Sequence, residues 1–392
     1  MSAPASIKQR TDEYTAPNYA RQPVVFVRGE GRYLWDEDGK RYLDLLSGLG
    51  VSSLGHGHAG LVSAIREQAG TLLHASNLYY TKPAAALAER LVAETFADRV
   101  FFCNSGAEAN EAAIKMARRA AGDRYEIVCV DGSFHGRTLA TLAATGQPAL
   151  REGFGPIPEG FVHVDAGDAA AVEAVVGERT AAVMVEPILG ESGVVVPPAG
   201  YLAALRKICD ERGALLILDE VQTGNGRTGK LYCHEHDGIV PDVLTTAKGL
   251  AGGMPIGAVL ATDAVASVFV PGTHGSTFGA NPVSCAAANA VLHALLDEGV
   301  LDNAARMGAR LTEGLENLLG GRDDVVSVRG RGLMIGVEFR EPAAPLVARL
   351  LEAGVVANAA GGTVLRMLPP LTITNGEVDE ALDTLRTVLD EA

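Results

Sequence analysis

An acid and an amine, Asp219 and Lys248, stand 29 residues apart in a stretch whose pattern puts each at the end of a strand. Leu215-Leu216-Ile217-Leu218 is a short apolar run behind Gly213-Ala214, the pattern of a strand covered on both faces. Asp219 closes it; Glu220-Val221-Gln222 follows, then a glycine-rich turn from Thr223 to Gly229. A second apolar segment, Pro241-Asp242-Val243-Leu244-Thr245-Thr246-Ala247, ends on Lys248 and breaks at Gly249. Open α/β sheets bind ligands at the carboxyl ends of their strands. A lysine for an aldehyde carbon and a carboxylate for a pyridinium nitrogen are what a pyridoxal 5'-phosphate site requires. A lone lysine after a strand is ordinarily just solvated. Here the two stretches occur in order, and further cofactor chemistry lies upstream.

Arg99-Val100-Phe101-Phe102-Cys103 reads as a strand leading into Asn104-Ser105-Gly106-Ala107-Glu108-Ala109-Asn110 and a helix with apolar spacing through Ala113, Ile114 and Ala117. Such a strand, small-residue turn and helix amino terminus form an anion site, with free backbone N–H groups and the helix dipole aimed at the ligand. Ser105 is the expected N-cap, and Glu108 three residues on completes the sequence of a capping box. After the strand Glu126–Val130, Ser133-Phe134-His135-Gly136-Arg137-Thr138 brings an aromatic that can stack on a planar ring and an arginine that can clamp a carboxylate. The strand 181–187 is followed by Gly190-Glu191-Ser192-Gly193, and the loop from His274 to Pro282 carries hydroxyls that can reach a phosphate or substrate. Gly55-His56-Gly57-His58 has no carboxylate beside it in sequence and reads as a polar turn, not a metal site. His234 and His236, in a charged stretch, read as solvent-facing.

The elements that must position these residues alternate β and α with short connections, which predicts a mostly parallel sheet covered by helices on both faces. Residues 1–20 read as a loose polar lead-in, followed by three short strands between Val24 and Leu46. Helices are expected over 83–96, 199–211, 282–296 and 300–319. Beyond Gly299 the pattern becomes α+β. The expected division is an amino-terminal segment, 1–55, belonging to a small domain; a large cofactor-binding domain, 56–299; and the rest of the small domain, 300–392.

With 392 residues and 47% hydrophobic content the chain can bury a large core. A net charge of −15 argues against a phosphate-backbone partner, so no nucleic acid is expected. It also requires that an anionic cofactor be held by local cations and dipoles. No uncharged apolar run reaches membrane-spanning length, so no membrane partner is expected. The five cysteines lack CxxC spacing, and the first residues lack an apolar signal core, which together predict reduced thiols in a cytoplasmic protein.

Asn104–Asn110, Phe134–Thr138, Leu218–Gly229, Ala247–Gly249 and Gly275–Pro282, with Arg28-Gly29-Glu30-Gly31 and Leu365–Leu371 at the two ends, resemble the class III (ornithine-type) aminotransferases across nearly the whole chain. The resemblance implies an α/β fold of the PLP-dependent transferase type I (aspartate-aminotransferase-like) and a homodimer with shared active sites. It implies that Lys248 binds the cofactor covalently and shuttles a proton, that Asp219 pairs with the ring nitrogen, and that Gln222 lies near the phenolic oxygen. Ser105, Gly106 and Ala107 belong to the phosphate end, Phe134 covers the ring, and Glu220 and Val221 count with the cofactor residues beside Asp219. Thr277 reaches the phosphate from the neighbouring subunit. Arg137 holds the substrate α-carboxylate, Ser276 lies close by, and Glu191 pairs with and releases Arg366 as the two substrates alternate. The implied reaction moves the δ-amino group of N-acetylornithine to 2-oxoglutarate, giving N-acetylglutamate 5-semialdehyde and glutamate in arginine biosynthesis. The rival donors are ornithine, succinylornithine or another ω-amine. An idle fold relative is disfavoured by an intact Lys248 and Asp219; a nucleotide-binding protein would want GxGxxG or GxxxxGKS after the first strand, where neither occurs. The departures from the family pattern are Asn225, Ser192, Ala251 and Ala280.

Overall fold

The apolar runs of the sequence become one seven-stranded sheet in the computed structural model, which describes residues 6–391. Three strands precede it, β1 (Phe26–Glu30), β2 (Tyr33–Asp36) and β3 (Arg41–Asp44). The large sheet is built from β4 (Arg99–Cys103), β5 (Glu126–Val130), β6 (Phe161–Val164), β7 (Thr180–Val185), β8 (Leu215–Asp219), β9 (Val243–Thr246) and β10 (Gly257–Ala261). Their spatial order is β4-β10-β9-β8-β7-β5-β6; within this sheet β10 runs against both neighbours and the rest are parallel.

Every residue of β7, β9 and β10 is buried, which is why they read as unbroken apolar runs. Alternate residues of β7 enter opposite cores. Ala182 and Met184 pack with Ala113 and Ala117 of the helix Gly106–Ala120; Val183 and Val185 pack with Leu202 and Leu205 of the helix Tyr201–Arg212.

Two four-stranded sheets flank this body. β3 pairs in parallel with β13 (Val355–Val356), so an amino-terminal sheet incorporates a strand from near the carboxyl end. The second sheet, order β11-β12-β15-β14, is antiparallel and contains β11 (Val325–Arg331), β12 (Met334–Phe339), β14 (Asn358–Ala360) and β15 (Val364–Met367). The helix Val300–Leu319 buries Ala304, Met307, Leu311 and Leu315, one stripe at helical spacing.

Several expectations change in the folded chain. The lead-in contains a helix, Ile7–Tyr14, closed by a Ser6/Gln9 capping box and with no buried residue; positions 1–5 lie outside the described residues. The strand expected over 181–187 ends at Val185, which frees Glu186 for the cavity. His56 does have a carboxylate partner, supplied by the fold: its Nε2 lies 2.8 Å from Asp44 Oδ2. Gly224-Asn225-Gly226-Arg227-Thr228-Gly229 has GxGxxG spacing, but after β8; it coils through turns and opens no helix.

Candidate active site

Asp219 and Lys248 reach the same cavity because β8 and β9 are adjacent and parallel, with Asp219 in register with Thr245. Three residues on, Lys248 opens a short turn, Lys248–Ala251, with φ +43. The turn is held from outside: Ser53 Oγ donates to Gly249 O at 3.1 Å, and Asn225 Nδ2 donates to Ala247 O at 3.1 Å and Thr246 Oγ1 at 2.8 Å. Asn225 has φ +55 and Ala280 φ +61, so two of the four departures from the family pattern fall at left-handed positions; asparagine tolerates that region far better than alanine. The cavity is about 460 Å³ and contains both Asp219 and Lys248. Burial holds the Lys248 amine below the ordinary lysine range, the nearby Glu191 charge opposing it.

The Asp219 carboxylate is fixed by three donors. Oδ2 accepts from Asn110 Nδ2 at 2.7 Å and from His135 Nδ1 at 2.8 Å, and Oδ1 accepts from Val221 N at 3.1 Å. Asn110 is itself oriented by Thr245 Oγ1, which donates to its Oδ1 at 2.6 Å. The acid therefore has one orientation, with its charge kept at the cavity wall.

At the opposite chemical pole the helix start read from the sequence is formed. Ser105 caps the helix Gly106–Ala120, its Oγ accepting from Glu108 N at 3.2 Å, so the first-turn N–H groups of Gly106 and Ala107 carry no intrahelical bond. Gly106 must be glycine, since a Cβ there would lie 2.7 Å from Val221 Cγ1. The capping box is only half formed: the Glu108 carboxylate accepts from Asn104 N and Nδ2, both at 2.8 Å, instead of returning to Ser105.

Phe134 lines the cavity and donates its N–H to Glu186 Oε1 at 2.8 Å. Glu186 Oε2 accepts from Gly190 N at 3.1 Å, so one buried carboxylate ties the Phe134 loop to the Glu191 loop. Burial, with the adjacent Asp219 charge, pushes its carboxyl up to about 7. Arg137 is exposed at the cavity rim, its guanidinium 5.7 Å from the Phe134 ring centroid.

Glu191 and Arg366 meet as the resemblance implied. Arg366 Nη1 donates to Glu191 Oε1 at 2.8 Å, to Gly190 O at 2.9 Å and to Gln222 Oε1 at 3.1 Å, and Gln222 Nε2 donates to Glu191 Oε1 at 3.0 Å. Burial works against the Glu191 charge, but Arg366 outweighs it and holds the carboxyl below its ordinary range. Arg366 is fully buried, and its Nη2 has no hydrogen-bond partner among the described residues.

Other expected residues are placed elsewhere. Glu220 does not line the cavity. Its side chain turns away from Asp219 and accepts from Cys233 N at 2.6 Å, His234 N at 2.9 Å, His234 Nδ1 at 2.9 Å and Thr223 Oγ1 at 2.9 Å. His234 is accordingly buried rather than solvent-facing, whereas His236 is exposed. Ser276 stands one residue back, its Oγ accepting from Asn104 Nδ2 at 3.0 Å; Thr277 is exposed and outside the cavity. The sequence assigns no role to Asn110, His135 or Glu186, although Asn110 and His135 lie inside the Asn104–Asn110 and Phe134–Thr138 motifs and Glu186 at a strand end.

The donor set fits pyridoxal 5'-phosphate: an oriented buried carboxylate, a lysine, free N–H groups at a helix start, and Phe134 and Val221 as apolar walls. Gly106 leaves the space that a side chain would fill. Among the described residues no helix is long and apolar enough to cross a membrane, and no group of three or more His, Cys, Asp or Glu residues is arranged to hold a metal.

The aminotransferase class-III family matches residues 14–389. Over 392 residues the chain is 50% identical to acetylornithine aminotransferase of Mycobacterium tuberculosis H37Rv, covering 99% of this chain and 97% of that protein. Ornithine aminotransferase of Toxoplasma gondii, whose structure is described with partial occupancy of PLP at the active site, superposes with TM-score 0.93 at 36% identity, covering 97% and 94% of the two chains. N-acetylornithine aminotransferase of Stenotrophomonas maltophilia K279a superposes with TM-score 0.84 at 38% identity, covering 97% and 98%. By sequence and by fold, the chain belongs to the class-III aminotransferases, PLP-dependent enzymes of fold type I.

Proposed function

We propose that this aminotransferase takes the δ-amino group of N-acetylornithine and passes it to 2-oxoglutarate, leaving N-acetylglutamate 5-semialdehyde and glutamate. The observation that carries the reading is Arg366: it is buried, engaged on one nitrogen by Glu191 and Gln222, and its Nη2 has no partner among the described residues. An enzyme whose two donors present different ends to one centre needs a cation that can be covered for one and uncovered for the other.

Bound pyridoxal 5'-phosphate supplies the aldehyde carbon for the amine and a protonated ring that takes up the electron pair left on the substrate carbon. Asp219, fixed by Asn110, His135 and Val221 N, keeps the ring nitrogen protonated. Lys248, its amine kept below the ordinary range by burial, would be the residue that holds the cofactor and would move the proton at the substrate carbon. Ser105, Gly106 and Ala107 would hold the phosphate through the helix start, Phe134 and Val221 would confine the ring, and Gln222 would serve the phenolic oxygen.

Arg137 at the rim binds the α-carboxylate of N-acetylornithine, with Ser276 behind Asn104 steadying that wall. The remaining mouth is Val51, Met254, Pro255 and Ile256, and the carboxylates of the cavity are already engaged by the chain's own donors. A donor whose α-nitrogen is an uncharged amide suits such a mouth; the α-ammonium of ornithine would be desolvated without a partner.

Thr277 would serve the cavity of a second copy. Supporting this, Leu78, Tyr79, Tyr80 and Phe278 are exposed around the same loop, which Asn77 Nδ2 ties down through Ser276 O at 3.0 Å and Gly279 O at 2.8 Å. The homodimer, a role in arginine biosynthesis and a cytoplasmic location belong to the same reading; five buried, unpaired cysteines suit a reducing compartment. Initial rates with N-acetylornithine, succinylornithine, ornithine and 4-aminobutyrate, with 2-oxoglutarate as acceptor, test it. N-acetylornithine should give the highest kcat/KM; equal or faster turnover of ornithine would overturn the donor assignment.

A further inference from the structure

The loop that carries Glu191 is closed at its base by two backbone bonds, Leu189 N to Val195 O and Val195 N to Leu189 O, both 3.0 Å. Its two shoulders are gripped by two arginines of one sheet. Arg366, on β15, holds Gly190 O at 2.9 Å. Arg329, on β11, holds the other side: Nη2 donates to Gly193 O at 2.9 Å, and Nε lies 3.1 Å from both Gly193 O and Val194 O. Arg329 is itself fixed by Glu338, on β12, and by Ser327 Oγ at 3.0 Å, so its fork has one orientation. β12 lies between the two arginine strands, and there Gly336 leaves room for the loop: a Cβ at Gly336 would stand 3.1 Å from Val194 Cβ.

The loop held in this way is strained. Val194 is fully buried with φ +56, a left-handed conformation that a β-branched residue adopts only under constraint. Released, Val194 would relax to negative φ and carry Glu191 off its arginine.

We infer that Arg329 is a positioning residue for the Glu191 gate: it holds the strained Val194 shoulder so that Glu191 alone moves when a substrate carboxylate pairs with Arg366. The inference rests on the alternation of Glu191 and Arg366 proposed above. Arg366 must give up contacts on the Gly190 side when a substrate carboxylate takes its nitrogens. Arg329 touches neither Glu191 nor the cavity, so its grip persists and the loop keeps its shape for the return. A lysine at 329 cannot bridge two carbonyls with a planar fork and should serve poorly.

The test compares kcat/KM for N-acetylornithine's δ-amine with that for glutamate's α-amine, each half-reaction followed alone in the holoenzyme. Arg329→Ala should lower that ratio by about tenfold, the worth of one charge-assisted hydrogen bond, with Arg329→Lys intermediate. Amide exchange over 189–195 should rise in the same variants. Val194→Gly takes φ +56 without strain, so adding it to Arg329→Ala should restore the ratio to within about threefold of the unaltered protein. An unchanged ratio in Arg329→Ala, an equal loss in both half-reactions, or no restoration by Val194→Gly would overturn the inference. Glu191→Gln in the same assay separates the two readings. If it leaves the ratio unmoved the gate itself fails, whereas if it moves the ratio and Arg329→Ala does not, only the role of Arg329 fails.

Discussion

Glu191 Oε1 and Arg366 Nη1 lie 2.8 Å apart, yet their environments differ: the Arg366 side chain is 0% exposed and that of Glu191 32%. A buried arginine cannot leave cheaply, whereas a carboxylate with one side in water can be solvated as it moves. Movement therefore belongs to the acid. Glu191→Gln should raise the rate with glutamate's α-amine relative to N-acetylornithine's δ-amine, because an amide covers the cation less firmly. Single-turnover rates of the two half-reactions measure the ratio. A variant slowed equally in both would show that Glu191 only shapes the cavity.

Asp219 should be worth more to turnover than to folding. In Asp219→Asn the remaining amide oxygen can still accept from Asn110 and His135, but the NH2 faces Val221 N without accepting from it, and the ring nitrogen would lose its ionic partner. Asp219→Ala should lose turnover by at least about a hundredfold, equivalent to ~2.7 kcal/mol of transition-state stabilisation. Steady-state kcat at saturating cofactor checks this, and a near-normal value would make Asp219 structural.

Much of this arrangement is legible in the sequence because it is local. β8, β4, β5 and the helix Val300–Leu319 have the expected bounds, since a strand buried on both faces or a one-stripe amphipathic helix advertises itself within its own residues. Ser105 reads as a cap for the same reason. What could not be read depends on contacts between distant parts of the chain. Asn110 and Asp219 are 109 residues apart, and Glu220 and His234 meet only because the turn after β8 folds back. Adjacent side chains at a strand end diverge, so Glu220, expected among the cofactor residues from its place beside Asp219, faces the other way.

Glu186 gives a pH signature. Its carboxyl rises from 4.5 to about 7 on folding, through burial and then the Asp219 charge. A raised value means that the folded state binds the proton more tightly. This contribution is fully present below the unfolded value and is lost as pH rises through the folded one. Cofactor-free protein should therefore lose stability between about pH 5 and about pH 7 relative to Glu186→Gln. Urea midpoints of both proteins at the two pH values check it; parallel changes would mean that Glu186 is charged throughout.

Thr277 lies outside its own cavity, and we assign it to that of a second copy. Dilution that yields monomers should release the cofactor, and Thr277→Ala should weaken cofactor binding without altering the dimer. Sedimentation with absorbance at the cofactor band follows both. A monomer that keeps its cofactor tightly would contradict the shared site.

The most direct test of the whole account is to reduce the purified yellow holoprotein with borohydride and map the modified peptide by mass. One phosphopyridoxyl group should be found, on Lys248. Modification at any other lysine, with Lys248 unlabelled, would contradict it.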